Sequence, residues 1–235
     1  MSGGLRGGEP GVLSREEYLA AWSRWHGGTG TESALVRGWL SAAYATARPI
    51  AGLPPLVATV LGLVVAAAAV GAAAAGGGWL VGAALLVALS GLLDSLDGAL
   101  AITTGRASRR GFVLDSAVDR LSEAAFATAL WVAGSPGWLA AAFGALCWLP
   151  EYLRARAGQA GVTQTGPLSV WERPTRLAMT GFTLGGAGVL SGVDGGAVVV
   201  PVGTAVGAVL GVVGTLQLGL WLRRVLPGPG EMTAP

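Results

Sequence analysis

The chain contains no lysine and no asparagine, one histidine and one cysteine. Cys147 stands alone in an apolar run, which leaves no disulfide framework and no thiolate metal site. His26 lies in the polar N-terminal segment, which argues against a histidine-dependent triad or a histidine-ligated metal. Charge is scarce too: Asp, Glu, Lys and Arg make up 12% of 235 residues, and mean hydropathy is +0.61. Soluble domains rarely have this composition, whereas polytopic membrane proteins do. All 15 basic residues are arginine, against 13 acids, an excess too small for a nucleic-acid footprint. The missing lysine reflects codon usage in a GC-rich genome and carries no weight for the fold. The first 30 residues mix Arg, Glu and Gly without an early apolar core, so no signal peptide is visible.

Long apolar runs are what the chain does have. Six segments, near 50–75, 79–101, 112–133, 137–157, 174–191 and 199–222, each approach the ~20 residues that cross a bilayer core. Their abundant small residues suit closely packed membrane helices. The fold class is therefore all-α, a polytopic protein with six transmembrane helices behind an amphipathic juxtamembrane helix. Residues 1–12 are Gly-rich and expected to be disordered. Residues 13–45 mix Leu and Trp with Arg15, Arg24 and Arg37, which predicts one or two surface helices broken at His26–Thr31. Three divisions result: a tail with surface helices at 1–45, a six-helix membrane domain at 46–226 and a disordered tail at 227–235. Arg106, Arg109 and Arg110 occupy one loop and Arg154, Arg156, Arg173 and Arg176 another, while the alternate loops carry no arginine. Positive residues stay on the cytoplasmic side, so both termini and both Arg-rich loops are expected there.

Four aspartates interrupt this pattern: Asp94, Asp97, Asp115 and Asp119, all within 26 residues. Carboxylates at membrane depth are costly and persist where they bind ions, relay protons or perform chemistry. Asp94 and Asp97 are i, i+3 on one helix face; Asp115 and Asp119 are i, i+4 on the next. The spacing predicts two helix ends presenting two carboxylates each to a common cleft. Such a cluster repels itself unless cations enter, and hard oxygen ligands suit Mg²⁺ or Mn²⁺.

In this stretch the chain resembles the CDP-alcohol phosphotransferase family, whose signature is D-x-x-D-G-x-x-A-R, eight residues, G, three residues, D, three residues, D. Asp94, Asp97, Gly98, Ala101, Gly111, Asp115 and Asp119 match it with every spacing kept. The one departure is Ile102, where the family carries an arginine beside the nucleotide phosphates. Arg106, Arg109 and Arg110 are the nearby residues able to substitute for that charge. The resemblance implies two divalent ions held by Asp94, Asp97, Asp115 and Asp119. It implies Asp119 as the base that takes a proton from the acceptor alcohol, which attacks the β-phosphorus of a CDP-lipid and expels CMP. It further implies CDP-diacylglycerol binding by Asp94, Gly98, Ala101, Arg106, Gly111 and Asp115. Pro55 and Thr59 join them, from a Pro-x-x-x-Thr-x-x-Gly motif that borders the cytidine in this family. Glycines there let a nucleotide approach backbone, although close helix packing explains either one equally well.

Within the family the chain is similar to the actinobacterial phosphatidylinositol-phosphate synthases, through Tyr152-Leu-Arg154-Ala-Arg156-Ala and Glu172-Arg173-Pro174-Thr-Arg176-Leu. That likeness implies an acceptor phosphate held by Arg154 and Arg176, with Arg156 and Arg173 as further candidates, and inositol phosphate as acceptor. Glycerol-3-phosphate is the alternative. Arginines at a bilayer edge also serve simply as cytoplasmic anchors. The family further implies a homodimer in the plasma membrane, among membrane lipids and without nucleic acid. Outside the family, a proton-coupled transporter or a membrane prenyltransferase would also use buried acids, but each needs more spans or more widely separated acidic motifs. Glu123 shares the Asp119 face and is expected to bond an arginine such as Arg120; Glu151 is expected to orient Arg154. Trp39, Trp79, Trp131, Trp138, Trp148, Trp171 and Trp221 read as interface anchors.

Overall fold

The computed structural model describes residues 12–25, 34–164, 166–194 and 196–226. The expected disorder of residues 1–12 and of the 227–235 tail falls outside these residues, apart from Val12, as does the break at His26–Thr31. The described residues contain only helices and connecting turns. They are α1 (Arg15–Trp25), α2 (Ala34–Ala47), α3 (Pro55–Ala75), α4 (Trp79–Thr103), α5 (Arg109–Val132), α6 (Gly137–Gln159), α7 (Arg173–Val189) and α8 (Val199–Val225). Helices α3 to α8 occupy the six apolar segments. Among the described residues, three stretches are long and apolar enough to cross a membrane: Pro55–Ala75, Trp79–Thr103 and Gly196–Val225. Helix α5 carries Asp115, Asp119, Arg120 and Glu123, and α7 is only 17 residues long, which keeps both below that mark.

Local chemistry sets the helix limits. Ser14 and Glu17 form a capping box at α1: the Ser14 amide donates to Glu17 Oε2 at 2.8 Å, and the Glu17 amide donates to Ser14 Oγ at 3.3 Å. Pro55 opens α3, where a missing N–H costs nothing. Gly76 and Gly77 reverse the chain between α3 and α4 with φ of 66° and 55°, a conformation that side chains with a Cβ resist.

The chain forms two compact units, residues 1–61 with 92–116 and residues 62–91 with 117–235. In the first, Tyr18, Leu19, Leu40, Tyr44, Ala58, Ala99 and Leu100 form a buried apolar cluster. The Leu13 amide donates to the Thr103 carbonyl at 2.9 Å, and the Tyr44 hydroxyl donates to the Leu13 carbonyl at 2.8 Å. Ile102 packs against this cluster, so the residue standing in for the family arginine serves apolar contact.

In the second unit α8 packs along α6 and α7. Glycines make this approach possible: a Cβ at Gly211 would lie 2.8 Å from Leu146 Cβ and 3.2 Å from Trp171 Nε1. Trp171 corrects the anchoring expectation. It is 0% exposed, edge-on to Phe143 at 5.3 Å between ring centroids, because the Gly207, Gly211 and Gly214 stripe of α8 leaves room for its ring. Trp79, Trp131, Trp138 and Trp148 do remain exposed, as an interface role requires.

Candidate active site

The first unit holds a carboxylate cluster. Asp94 and Asp97 sit one turn apart near the end of α4, and Asp115 sits in the second turn of α5. One oxygen from each lies within 4.8 Å of the other two. Asp97 is 5% exposed and the others are half-buried. Three carboxylates this close repel strongly at reduced dielectric, and a divalent cation with oxygen preference relieves that repulsion. The donor set therefore fits Mg²⁺ or Mn²⁺.

Several of the residues that the family likeness assigns to the CDP-lipid are small. Gly98 is exposed, and a Cβ there would meet nothing within 4 Å, so its surface is open to a ligand. The Gly111 amide donates to Ser108 Oγ at 3.0 Å, which closes the first turn of α5. Ala101 is half-buried. Thr59 is buried and its hydroxyl donates to the Pro55 carbonyl at 3.2 Å. Arg106 is exposed and its Nη1 donates to the Leu53 carbonyl at 3.3 Å, which brings its charge to the chain just before α3.

The second unit holds the remaining aspartate and all four candidate acceptor arginines. Arg173, the first residue of α7, makes a close ion pair with Asp119 of α5. Arg154 grips Glu172 with both ends of its fork, Nη1 to Oε2 at 3.1 Å and Nη2 to Oε1 at 2.6 Å, and it also donates to Glu151 at 3.2 Å. Glu172 Oε1 accepts further bonds from the Ser169 amide at 2.8 Å and the Ser169 hydroxyl at 2.9 Å. Burial pushes the Glu172 carboxyl up, but the bonds from Arg154 and Ser169 outweigh it and hold the group below the usual carboxylate range. Arg156 is exposed and donates to Gln159 at 2.6 Å.

Arg176 lies deepest. It is 2% exposed; Nε donates to the Trp171 carbonyl at 3.0 Å, Nη1 to Glu123 at 2.8 Å and Nη2 to Glu151 at 2.9 Å. Glu123 also meets Arg120, whose Nη1 donates to the Cys147 carbonyl at 3.2 Å, beside Pro150 within α6. In the sequence Glu172 stands out only as part of a motif, and nothing there pairs Arg173 with Asp119. Spacing signals pairs within one helix, such as Glu151 with Arg154, but carries no signal for partners on different helices.

The fold and the cluster define a helical membrane protein with a built carboxylate site for a divalent ion. Residues 53–213 match the CDP-alcohol phosphatidyltransferase family, and the chain belongs to it. An archaetidylinositol phosphate synthase from Aeropyrum pernix is 40% identical over 86 residues, 37% of this chain and 44% of that protein. The chain thus spans less than half the length of that relative. A phosphatidylinositol phosphate synthase from Mycobacteroides abscessus is 33% identical over 191 residues, 77% of this chain and 81% of its own. The crystal structure of the Mycobacterium tuberculosis phosphatidylinositol phosphate synthase with CDP-DAG bound is similar at TM-score 0.65 and 29% identity, over 82% of this chain and 98% of that one. The same enzyme has been solved in complex with manganese and citrate.

Proposed function

We propose that this chain is a metal-dependent phosphatidyltransferase of phospholipid biosynthesis that moves a phosphatidyl group from CDP-diacylglycerol to inositol phosphate and releases CMP. The observation that carries this reading is the convergence of Asp94, Asp97 and Asp115 within 4.8 Å on the family's own signature positions. Inositol phosphate is favoured over glycerol-3-phosphate because the relatives found act, by name, in inositol phosphate lipid synthesis.

Asp94, Asp97 and Asp115, with Asp119 one turn further along α5, would hold two divalent ions. When bound, these neutralise charge developing on the phosphoryl oxygens. Asp119 accepts the proton of the acceptor hydroxyl as that oxygen attacks the β-phosphorus. Pro55, Thr59, Gly98, Ala101, Arg106 and Gly111 line the CDP end of the donor, with Arg106 supplying the charge that Ile102 lacks. Arg154 and Arg176 receive the acceptor's phosphate, with Arg156 and Arg173 as further candidates.

In the membrane, α5, α6 and α7 join the three apolar helices to make six spans, with α1 and α2 on the cytoplasmic surface. The active site and both termini then face the cytoplasm, and the protein works as a homodimer in the plasma membrane.

The test is CMP release by purified protein from CDP-diacylglycerol, with Mg²⁺ or Mn²⁺ and a panel of acceptors. Release should require the cation and be fastest with inositol phosphate. Activity that persists in chelator refutes phosphoryl transfer at the carboxylates. A preference for glycerol-3-phosphate moves the acceptor assignment, and a preference for serine or free inositol removes the phosphate pocket.

A further inference from the structure

The last four carbonyls of a helix have no partner within it and must find one elsewhere. At the end of α4 three of the four close locally. The Leu100 carbonyl accepts from the Thr104 amide at 3.0 Å and from the Thr104 hydroxyl at 2.6 Å. The Ala101 carbonyl accepts from the Ala107 amide at 3.0 Å, and the Ile102 carbonyl from the Gly105 amide at 3.1 Å. The fourth partner comes from far earlier in the chain: the Leu13 amide donates to the Thr103 carbonyl at 2.9 Å. Thr103 is 0% exposed, so no water reaches that carbonyl while Leu13 is in place.

Leu13 is held in turn. Its carbonyl accepts from the Tyr44 hydroxyl at 2.8 Å, and the capping box of Ser14 and Glu17 starts α1 at the next residue. Tyr44 is 9% exposed, and its ring lies 5.5 Å from that of Tyr18. One peptide residue thus ties α2 to the end of α4. The turn that follows carries Arg106, bonded to the Leu53 carbonyl, and leads into α5, whose Asp115 joins Asp94 and Asp97. Carboxylates this close push one another apart. A yielding turn would relieve the repulsion by widening the cluster. A pinned turn keeps the oxygens together before a cation arrives, which lowers the cost of binding it.

We propose that Tyr44 is a positioning residue for the carboxylate cluster and the CDP-lipid. Through the Leu13 peptide it pins the end of α4, and with it the spacing of Asp97 from Asp115 and the place of Arg106. For its substrate this inference rests on the phosphatidyltransferase reading above; for the cation it rests on the cluster alone.

Tyr44→Phe keeps the ring beside Tyr18 and removes only the hydroxyl. Leu13→Pro removes the amide that Thr103 uses, and Leu13→Ala, which keeps that amide, is its reference. The experiment titrates each purified protein with Mn²⁺ alone, read by the electron paramagnetic resonance signal of the free ion. It then measures KM for CDP-diacylglycerol and for inositol phosphate, with thermal unfolding alongside. Tyr44→Phe should weaken Mn²⁺ binding and raise the CDP-lipid KM about threefold to tenfold, the loss expected for one hydrogen bond, and leave the acceptor KM within about twofold. Leu13→Pro should bind Mn²⁺ about tenfold more weakly than Leu13→Ala, because it strands a buried carbonyl.

An unchanged Mn²⁺ affinity in Tyr44→Phe overturns the proposal, even where the unfolding temperature falls, because the bond is then structural only. An acceptor KM that rises as far as the CDP-lipid KM also overturns it, since the change then loosens the fold at large. If Leu13→Pro cannot be purified, Tyr44→Phe decides alone. A wild type that releases no CMP from CDP-diacylglycerol sinks the functional reading, and the Mn²⁺ affinities still decide whether Tyr44 positions the carboxylates.

Discussion

Substituting Gly214 by alanine should loosen the segment that leads into α7, whose Ser169 and Trp171 bond Glu172 and Arg176. A Cβ at this position of α8 would lie 2.5 Å from Trp171 Cβ, 3.1 Å from the Trp171 amide nitrogen and 3.3 Å from Ser169 Oγ. The first two atoms belong to the main chain or its root, so no rotamer change removes the clash and the 169–171 segment must move. Overpacking of this kind costs roughly 1–3 kcal/mol, and the rigidity of the contact places it near the upper end. Alanine returns about 1 kcal/mol of helix propensity, so the net loss is about 2 kcal/mol. Gly219 is the matched control on the same helix, because a Cβ there meets nothing within 4 Å. Gly219→Ala gains that propensity without the clash, so the two variants differ by about 3 kcal/mol, which in a protein of this size corresponds to an unfolding midpoint roughly 6–12 °C lower for Gly214→Ala than for Gly219→Ala. Thermal unfolding in detergent, followed by tryptophan fluorescence, reads both the midpoint and the environment of Trp171. Activity should fall in step, since Ser169 and Trp171 supply bonds that hold Glu172 and Arg176. Equal midpoints for the two variants would refute the argument that the glycine stripe exists to seat Trp171.

Asp119→Asn keeps the side chain's shape but cannot accept a proton, and CMP release should fall about 100-fold or more; near-normal release would remove Asp119 as the base. Asp97→Ala takes one carboxylate from the cluster and should raise the Mn²⁺ concentration needed for half-maximal activity or abolish activity, as a Mn²⁺ titration would show. Glu172 titrates below its ordinary value of 4.5 in the folded chain, so its stabilising contribution is present above that value and is lost as pH falls through the lower folded value. Unfolding midpoints measured down through the acid range should therefore drop more steeply for wild type than for Glu172→Gln, and parallel slopes would show that Arg154 and Ser169 do not hold the carboxylate.

Helical periodicity is local, so the four aspartates could be assigned to two helix faces by arithmetic on the chain. The same holds for the apolar segments that became α3 to α8, and for the capping and turn residues at their ends, because each depends only on neighbours along the chain. Asp94 and Asp97 needed nothing further to share a face. Bringing Asp115 within 4.8 Å of them required the turn between α4 and α5 and the packing of the first unit. Tertiary structure alone chose partners for the arginines. Arg154, Arg173 and Arg176 look alike in the sequence, as long cations in one loop region. Glu123 of α5 and Glu151 of α6 then turned Arg176 inward, Asp119 of α5 paired with Arg173, and Glu172 at the start of α7 took Arg154. Ile102 and Trp171 teach the same lesson for apolar groups. One reads as a missing charge and the other as an interface anchor until the first packs on the Tyr18–Tyr44 cluster and the second fills a groove cut by glycines. A residue's spacing along the chain settles which face of its helix it occupies; which residue lies opposite depends on helices far away in sequence, and that is decided by packing.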